Sequence, residues 1–388
     1  MNRDTRHCPV CGSDRTDPLY MNTLAALDGL DMSYRVARCT ACGFAFADQL
    51  PSPPTYATYY QSLSKYDIAP TVAGISPADR LRCDAAVSLL RSHAGPGARI
   101  ADLGCGSGSL LAALRAAGWS RLAGIDPAPG APQIARQQFK LDCVQCGTLD
   151  QAAELLDLSG LDVVCLTGVL EHLPRLREDL AALTMATGKA THILVEVPAL
   201  ERFAQRPFEP YGEFSLEHIQ YFSRKSLVGF FATLGFGVLA TTLVDLPPGY
   251  CDSLFALFAR SPAAAIPAAP GAESDGIENY IAESETLLQA AIMRITSCPA
   301  DSLVIYGAGS HSARLLPRLL AAGDNRLAGL VDSNPNLRGK QLGPLIIKAP
   351  ETLARHPEAT IVVSSFRAQH AIGDMLRASR SNPVLTLY

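Results

Sequence analysis

The segment Arg99–Leu111, with the sequence RIADLGCGSGSLL, constrains the fold of this chain more than any other. Its apolar start predicts a strand that ends at Asp102-Leu103, and Gly104–Gly108 then form a turn into a helix. Glycines in such a turn let a ligand lie against the backbone at the helix N-terminus. A second apolar run, Leu122–Asp126, ends in a carboxylate that can accept both hydroxyls of a ribose. The two runs therefore predict a nucleotide-like ligand at the end of neighbouring strands.

The G-x-G-x-G spacing directly after Asp102 differs from the dinucleotide fingerprint. The segment resembles motif I of the class I S-adenosylmethionine methyltransferases, and Leu161–Pro174 looks like the fourth-strand motif of that family. The resemblance implies that the glycine loop contacts the methionine moiety of S-adenosylmethionine, that Asp126 holds the ribose and that Gly147–Leu149 lies near the adenine. The cofactor-binding residues implied in this way are Asp102, Gly104, Cys105, Gly106, Gly108, Asp126, Pro127, Gly147, Thr148, Leu149 and Thr167.

The order of strand-like and helix-like segments predicts the organisation of the chain. From Arg99 onward, short apolar strands alternate with helical segments, which is typical of a parallel, doubly wound α/β sheet. Helices are expected over Pro77–Ser92 and Ile277–Ser297. We predict a zinc-binding module at 1–70, a Rossmann-like methyltransferase domain at 71–260, a Pro/Ala/Gly-rich linker at 261–276 and a second Rossmann-like domain at 277–388.

Four of the cysteines form two Cys-x-x-Cys pairs, each followed by a glycine. Two residues between the thiols let both sulfurs turn toward one tetrahedral ion, and glycine permits the tight turn. We predict a structural zinc ion held by Cys8, Cys11, Cys39 and Cys42. The alternative is a set of disulfides or free thiols, and a reducing compartment disfavours disulfides.

Three polar residues stand where no apolar core explains them. His172 follows a predicted parallel strand at the edge where open α/β sheets bind ligands. Glu217 and His218 are adjacent, and a carboxylate beside a histidine can fix its tautomer or raise its basicity. The alternative for His172 is a helix cap, and for the Glu217-His218 pair an anchor of the loop.

The three-part layout resembles the nucleotide-sugar C-methyltransferases of deoxysugar biosynthesis. The segment Glu217–Ser223, with the sequence EHIQYFS, matches the Glu-His-x-x-Tyr-Phe-Ser segment of that family, and Tyr306–Ser312 and Gly329–Pro335 match its C-terminal domain. The resemblance implies that a nucleotide-linked 4-keto sugar loses a C–H proton and that the enolate takes the methyl group. It implies that His218 is the base, oriented by Glu217, and that His172 and the residues Tyr60, Tyr66 and Tyr221 surround the acceptor.

One position departs from that family, which tends to have a tyrosine two residues before the Glu-His pair. Here the position is Ser215, so a phenol that could donate to an enolate is missing. An O- or N-methyltransferase acting on another small natural product is therefore the first alternative. A cofactor-binding scaffold without catalysis and an NAD-linked enzyme that uses the Gly307 loop are the others.

The second glycine loop, Gly307–Ser312, has serine where a dinucleotide fingerprint has its third glycine, and Asp332 ends the next strand. It is interpreted either as a nucleotide site or as part of a degenerate domain that shapes the acceptor cleft. A degenerate domain or contact with the substrate's nucleotide is favoured over NAD.

The composition limits the possible partners. The 388 residues have a net charge of −4 and no basic tract, which argues against a nucleic acid as the main partner. Apolar residues make up 48% of the chain, yet no apolar run approaches the length of a membrane helix, and the first residues carry no signal-peptide core. We expect a cytoplasmic monomer or small homo-oligomer that acts on a small molecule.

Overall fold

The computed structural model describes residues 5–52, 55, 75–204, 208–215, 217–261 and 276–388. The described strands, in chain order, are β1 (Thr16–Asn22), β2 (Tyr34–Cys39), β3 (Ala45–Ala47), β4 (Arg99–Leu103), β5 (Arg121–Asp126), β6 (Val144–Cys146), β7 (Val163–Thr167), β8 (His192–Pro198), β9 (Gln220–Tyr221), β10 (Phe236–Val244), β11 (Ser253–Arg260), β12 (Leu303–Tyr306), β13 (Leu327–Val331), β14 (Gln341–Leu342), β15 (Leu345–Lys348), β16 (Thr360–Val363) and β17 (Val384–Thr386).

The described α-helices, in chain order, are α1 (Pro77–Arg91), α2 (Ser109–Ala116), α3 (Ala131–Phe139), α4 (Ala152–Leu155), α5 (Leu176–Ala186), α6 (Arg224–Thr233), α7 (Ile277–Thr296), α8 (Ser310–Ala321) and α9 (Gln369–Ser379). The helices predicted at Pro77–Ser92 and Ile277–Ser297 both occur, each one residue shorter than expected. Helix α1 begins at Pro77, as predicted. The Ser76 hydroxyl caps the helix by accepting a hydrogen bond from the Asp79 N–H, and proline is favoured at the first helical position.

The central sheet has the strand order β10-β11-β8-β7-β4-β5-β6 within the described chain. The five strands from β6 to β8 are parallel, and β11 and β10 extend the sheet in antiparallel pairing. Helices can cover both faces of such a sheet, so its inner strands read as continuous apolar runs. In β7, Val163 to Leu166 are all buried. The predicted α/β fold class is confirmed, and the ligand edge lies where β4, β5, β6 and β7 end.

The N-terminal sheet has the order β1-β2-β3-β9, and its fourth strand comes from far along the chain. Ala45 pairs with Tyr221 and Phe46 with Gln220 in antiparallel register. The segment that carries the predicted Glu217-His218 pair therefore runs directly into the sheet next to the cysteine pairs.

The C-terminal sheet has the order β14-β15-β13-β12-β16-β17, parallel except for β14. Helix α7 joins it to the central sheet, and the buried side chains of α7 recur every three or four residues along one face. They share one apolar cluster with β2, the loop near Tyr211 and the C-terminal strands. The predicted domain boundaries stay predictions, and all but the end residues of the predicted linker lie outside the described part of the chain.

Candidate active site

The residues predicted to bind the cofactor lie together at the carboxyl edge of four neighbouring strands. The glycine loop Gly104–Gly108 follows β4, Asp126 ends β5, Gly147–Leu149 follows β6, and Thr167 ends β7. The Gly147 N–H donates to the Asp126 carbonyl oxygen at 3.0 Å, which joins two of these loops directly. Open α/β sheets bind their ligands at the carboxyl ends of the strands, so these residues lie where such a sheet would bind a ligand.

The glycine loop is shaped on one side by packing and open on the other. A Cβ on Gly104 would lie 2.6 Å from the Cγ2 atom of Val169, whereas a Cβ on Gly106 would meet nothing within 4 Å. Gly106 has a φ of 52°, a conformation that favours glycine. The side chain of Cys105 packs against Gly124 of β5, so Cys105 can offer the open side only its main chain. The loop is therefore a cradle that fits a ligand lying on its backbone.

The carboxylate of Asp126 holds this loop in place. It accepts hydrogen bonds from the Gly106 N–H at 2.7 Å and from the Ala128 N–H at 2.9 Å. Burial raises its pKa, and the two N–H donors oppose that effect. A carboxylate has about four lone-pair sites, so two sites stay available to ribose hydroxyls.

Asp102 lies beneath the loop as a buried acid. Burial, reinforced by the nearby Asp126 carboxylate, raises the pKa of Asp102 to about 7. Its Oδ1 atom has no hydrogen-bond partner among the described residues. An orphaned carboxylate oxygen at this place fits a ligand that brings positive charge or a hydrogen-bond donor.

His172 and His218 meet edge to face beside the cofactor edge. Their ring centroids are 4.9 Å apart with an interplanar angle of 72°. The Nδ1 atom of His172 lies 3.1 Å from the Glu217 carbonyl oxygen. Because a carbonyl oxygen only accepts, this contact assigns a proton to Nδ1. Two residues predicted for the acceptor site thus lie next to each other.

A buried glutamate stands behind the two histidines. Glu171 is 3% exposed, and its Oε1 atom lies 3.9 Å from the Nε2 atom of His172. One carboxylate oxygen of Glu171 and one ring nitrogen from each histidine lie within 4.8 Å of one another. Burial raises the pKa of Glu171 to about 7, which the His218 ring opposes and the Glu196 carboxylate reinforces. Sequence reasoning passed over Glu171, although it stands directly before His172.

The carboxylate that faces His218 in the structure is that of Glu213. Its Oε2 atom lies 3.6 Å from the Nδ1 atom of His218, at ion-pair distance. Glu217, predicted to orient His218, is buried and holds His172 through its main-chain carbonyl. The Ser215 hydroxyl accepts from the Glu217 N–H at 3.3 Å and from the His218 N–H at 3.0 Å. Ser215 therefore fixes the turn before the Glu-His pair.

Tyr221 lies elsewhere than predicted. It is 1% exposed, and its hydroxyl lies 3.0 Å from the His218 carbonyl oxygen, to which it can donate, and 3.2 Å from the Tyr34 hydroxyl. Because the tyrosine is enclosed in the core of the N-terminal sheet, the structure assigns it to the support of His218 in place of the predicted substrate contact. Tyr60 and Tyr66 lie outside the described residues.

The four predicted zinc ligands form one cluster near β2 and β3. The Sγ atoms of Cys8 and Cys42 are 3.6 Å apart, those of Cys11 and Cys39 are 3.5 Å apart, and all four lie within 4.8 Å of one another. A tetrahedral zinc ion with four sulfur ligands needs sulfur separations of about 3.8 Å. The donor set therefore fits zinc in both geometry and chemistry.

The two turns around the cysteines repeat one hydrogen-bond pattern. The Gly12 N–H donates to the Cys8 carbonyl oxygen and the Gly43 N–H to that of Cys39, each at 2.8 Å. Both glycines have a φ of 78°. The pattern explains why a glycine follows each cysteine pair.

The second glycine loop copies the backbone plan of the first. Asp332, just beyond β13, accepts from the Ala308 N–H and from the Asn334 N–H, both at 2.7 Å. Behind this loop His311 is buried between the Ser364 hydroxyl at 2.8 Å and the Tyr388 hydroxyl at 2.7 Å. Burial lowers the pKa of His311 to about 3, so the ring is neutral and serves the packing of the domain.

Residues 78–241 match the family described as "methyltransferase domain". This part of the chain is similar to that family. The predicted enzyme class, an S-adenosylmethionine-dependent methyltransferase, is confirmed. None of the curated proteins compared with the chain matches it. No helix in the described ranges has both the length and the apolar character needed to cross a membrane.

Several solved structures resemble part of the chain. The 1,6-didemethyltoxoflavin-N1-methyltransferase of Burkholderia thailandensis is 19% identical, with 56% of this chain and 96% of that chain covered and a TM-score of 0.42. The magnesium protoporphyrin IX methyltransferase of Synechocystis PCC 6803 is 17% identical, with 54% and 100% covered and a TM-score of 0.41. An N-methyltransferase of Bradyrhizobium japonicum WM9 is 18% identical, with 53% and 98% covered and a TM-score of 0.40.

Proposed function

We propose that the enzyme is a C-methyltransferase that acts on a nucleotide-linked keto-deoxysugar by base-catalysed formation of an enolate. The observation that carries the proposal is the pair His172 and His218, held beside the cofactor edge by the carboxylates of Glu171 and Glu213. A C–H bond next to a ketone needs a base to remove its proton and a donor to stabilise the enolate oxygen. The site offers groups for both tasks.

The cofactor site fits S-adenosylmethionine, which supplies an electrophilic methyl group on a sulfonium centre when bound. The backbone of Gly104–Gly108 would hold its methionine part, Asp126 its ribose and Gly147–Leu149 its adenine. The orphaned Oδ1 atom of Asp102 and the open space at Gly106 support this assignment. Because the cofactor edge and the histidine pair adjoin, reacting groups on the two sides would be held in proximity.

His218 is the proposed base. Its Nδ1 atom lies 3.6 Å from the Glu213 carboxylate, and in the proposal the Nε2 atom accepts the proton. The imidazolium that forms would be stabilised by the Glu213 carboxylate. In methyl transfer the electron pair of the carbanion becomes the new C–C bond. The proton on His218 then leaves to solvent, to which the ring is partly exposed.

His172 and Glu171 are the proposed donors to the enolate oxygen. The Nδ1 proton of His172 is committed to the Glu217 carbonyl oxygen, so Nε2 donates only when the ring is protonated. Glu171, with a pKa raised to about 7 by burial, can keep a proton near neutral pH and share it with the Nε2 atom of His172. The two groups together can thus hold one proton toward the acceptor.

Transfer to oxygen or nitrogen of another small natural product is the second candidate. The observation that favours it is Ser215, which holds the turn by accepting from two backbone N–H groups at the position where the deoxysugar enzymes tend to have a phenol. This reaction would also need His218 as a base but no ketone beside the methylated atom.

For the cysteine cluster we propose a structural zinc ion on Cys8, Cys11, Cys39 and Cys42. The sulfur separations support the assignment. Four thiolates fill a tetrahedral coordination shell and leave no position for a substrate.

The experiment is deuterium exchange with dTDP-4-keto-6-deoxyglucose as the probe, in D₂O, with the enzyme and S-adenosylhomocysteine. The expected result is enzyme-dependent loss of one C–H signal next to the ketone in the proton NMR spectrum. With S-adenosylmethionine, the new methyl group should appear on that same carbon. A methyl group on oxygen or nitrogen would overturn the C-methyltransferase proposal in favour of the second candidate.

A further inference from the structure

Several titratable groups lie close to the His218 ring. The Oε2 atom of Glu213, from its own loop, lies 3.6 Å from the Nδ1 atom. From the end of β7, the His172 ring meets it edge to face, and a carboxylate oxygen of Glu171 lies within 4.8 Å of a ring nitrogen. Farther away, Arg82 of α1 acts on Glu171 and forms an ion pair with Glu196 at 3.4 Å.

The loop that carries Glu213 is held by α7. The Glu213 N–H donates to the hydroxyl of the fully buried Tyr280 at 2.9 Å. The Tyr211 N–H donates to the Ser284 hydroxyl at 3.1 Å, and the Tyr211 hydroxyl donates to Glu285 at 2.7 Å. These bonds on both sides of Gly212 fix the backbone from which Glu213 projects.

The backbone at Tyr211 is strained, which shows how firmly the loop is held. Tyr211 has a φ of 55°, a left-handed conformation that is uncommon for residues other than glycine. Its ring stacks on Tyr20 of β1 at 4.3 Å between centroids. Such strain persists only where the surroundings over-determine the conformation, and it concentrates at functional sites.

A second clamp on this loop comes from the C-terminal sheet domain. The Arg314 side chain of α8 is 1% exposed, and its guanidinium donates to the carbonyl oxygens of Phe214 at 2.8 Å and Pro210 at 3.3 Å. It also contacts the Asn22 side chain at 3.3 Å. A buried guanidinium is stable only when its N–H groups are hydrogen-bonded. Because the partners of Arg314 include main-chain carbonyl oxygens, the side chain holds the backbone of this loop in position.

We propose that Glu213 is the positioning residue that orients His218 for proton transfer, and that α7 and α8 hold Glu213 in place from the C-terminal side. The inference deepens the proposed function, since it rests on His218 being the base. A carboxylate at Nδ1 favours a proton on that nitrogen and stabilises the imidazolium that forms. The C-terminal domain then serves the methyl-transfer site directly, whether or not it binds a nucleotide.

The experiment follows the His218 ring itself and needs no sugar substrate. Full-length enzyme with ¹³C- and ¹⁵N-labelled histidine is titrated by NMR from pH 5 to 9, and His218 is assigned by the signal lost in His218→Asn. In Glu213→Gln the pKa of His218 should fall by about one unit, since a carboxylate within 4–6 Å favours the charged ring. Its neutral form should also lose the preference for a proton on Nδ1.

Three variants make the result specific. Glu217→Gln tests the neighbour in sequence and should shift the His218 pKa by less than half as much. Tyr280→Phe removes only the hydroxyl that holds the Glu213 N–H, and it should give a part of the Glu213→Gln shift. Glu154→Gln, an exposed carboxylate on α4, should give none. Elemental analysis showing one zinc per chain ensures that no cation on the histidines contributes to the titration.

A larger shift in Glu217→Gln than in Glu213→Gln would overturn the proposal, as would an unchanged His218 pKa in both variants. Unchanged affinity for S-adenosylhomocysteine, measured in every variant, shows that each protein is folded. The titration is independent of the acceptor, so a methyl group found on oxygen or nitrogen would refute the C-methyltransferase proposal and leave the role of Glu213 standing.

Discussion

Replacing Asp126 with alanine removes one carboxylate that serves both the protein and its cofactor. In the protein it accepts two backbone hydrogen bonds, from Gly106 and Ala128. Hydrogen bonds to charged groups contribute about 1.5–3 kcal/mol each, and Asp126 is only partly buried, so the lower end applies. We expect the free energy of unfolding to fall by about 2–4 kcal/mol.

The affinity for S-adenosylhomocysteine should fall as well. If Asp126 holds the ribose, the loss of that contact costs about 1.5–3 kcal/mol, or about 10- to 150-fold in Kd. Isothermal titration calorimetry measures the affinity, and denaturant unfolding measures the stability of the same protein.

The chain offers a matched control in Asp332, which accepts two backbone N–H bonds in the same pattern after β13. Asp332→Ala should lower the stability of its own domain by a similar amount and leave the affinity for S-adenosylhomocysteine unchanged. Equal affinities in wild type and Asp126→Ala would refute the ribose assignment. Equal losses of affinity in the two variants would show that the effect is one of stability alone.

Three further predictions follow from the site. Burial raises the pKa of Glu171 from 4.5 to about 7. The native state therefore binds this proton more tightly than the unfolded state, and stability falls as the pH rises between these values. Glu171→Gln should be the more stable protein at pH 8, by up to about 3 kcal/mol, with the difference vanishing near pH 4.5 in thermal unfolding. Cys39→Ser should lose its zinc in elemental analysis and unfold its N-terminal sheet at lower temperature, whereas full zinc retention would contradict the assignment. His218→Asn should lower methyl transfer and deuterium exchange by about 10²–10⁴-fold with unchanged S-adenosylhomocysteine affinity, and exchange at the wild-type rate would exclude His218 as the base.

The parts of the site that the sequence predicts are those with local signatures. The glycine loop after β4, the acid that ends β5 and the two cysteine pairs each depend on a few neighbouring residues whose spacing dictates a turn. Parallel strands bring these ends to one edge, so the sequence could predict that the residues proposed for the cofactor lie together. The helix bounds near Pro77 and Ile277 follow in the same way from caps and periodicity.

The proximity of Glu213 to His218 could not be predicted in this way. The role of Glu217, suggested by its adjacency to His218, stays a prediction, whereas the turn fixed by Ser215 brings the carboxylate of Glu213 within 3.6 Å of the ring. Spacing alone does not reveal that turn, because it depends on Tyr280 and Arg314, which are distant in sequence. One sequence signal could have pointed to Glu213, since it is an acidic residue between aromatic residues, two positions before Ser215. Tyr221 shows that a tyrosine within a motif can have a structural role, since it is buried and supports the main chain of His218.

With the proposed zinc ion on the cysteine cluster, the short strand β9 would make the reaction depend on a metal that no chemical step requires. Tyr221 pairs with β3, three residues beyond Cys42, and its hydroxyl holds the main chain of His218. A strong chelator that strips the cysteines would loosen β3 and, through β9, the proton acceptor, while the cofactor could still dock on its own loops. A chelator would then inactivate the enzyme by disturbing the two hydrogen-bonded strands that support His218. Such a loss of activity could easily be mistaken for evidence of a catalytic ion.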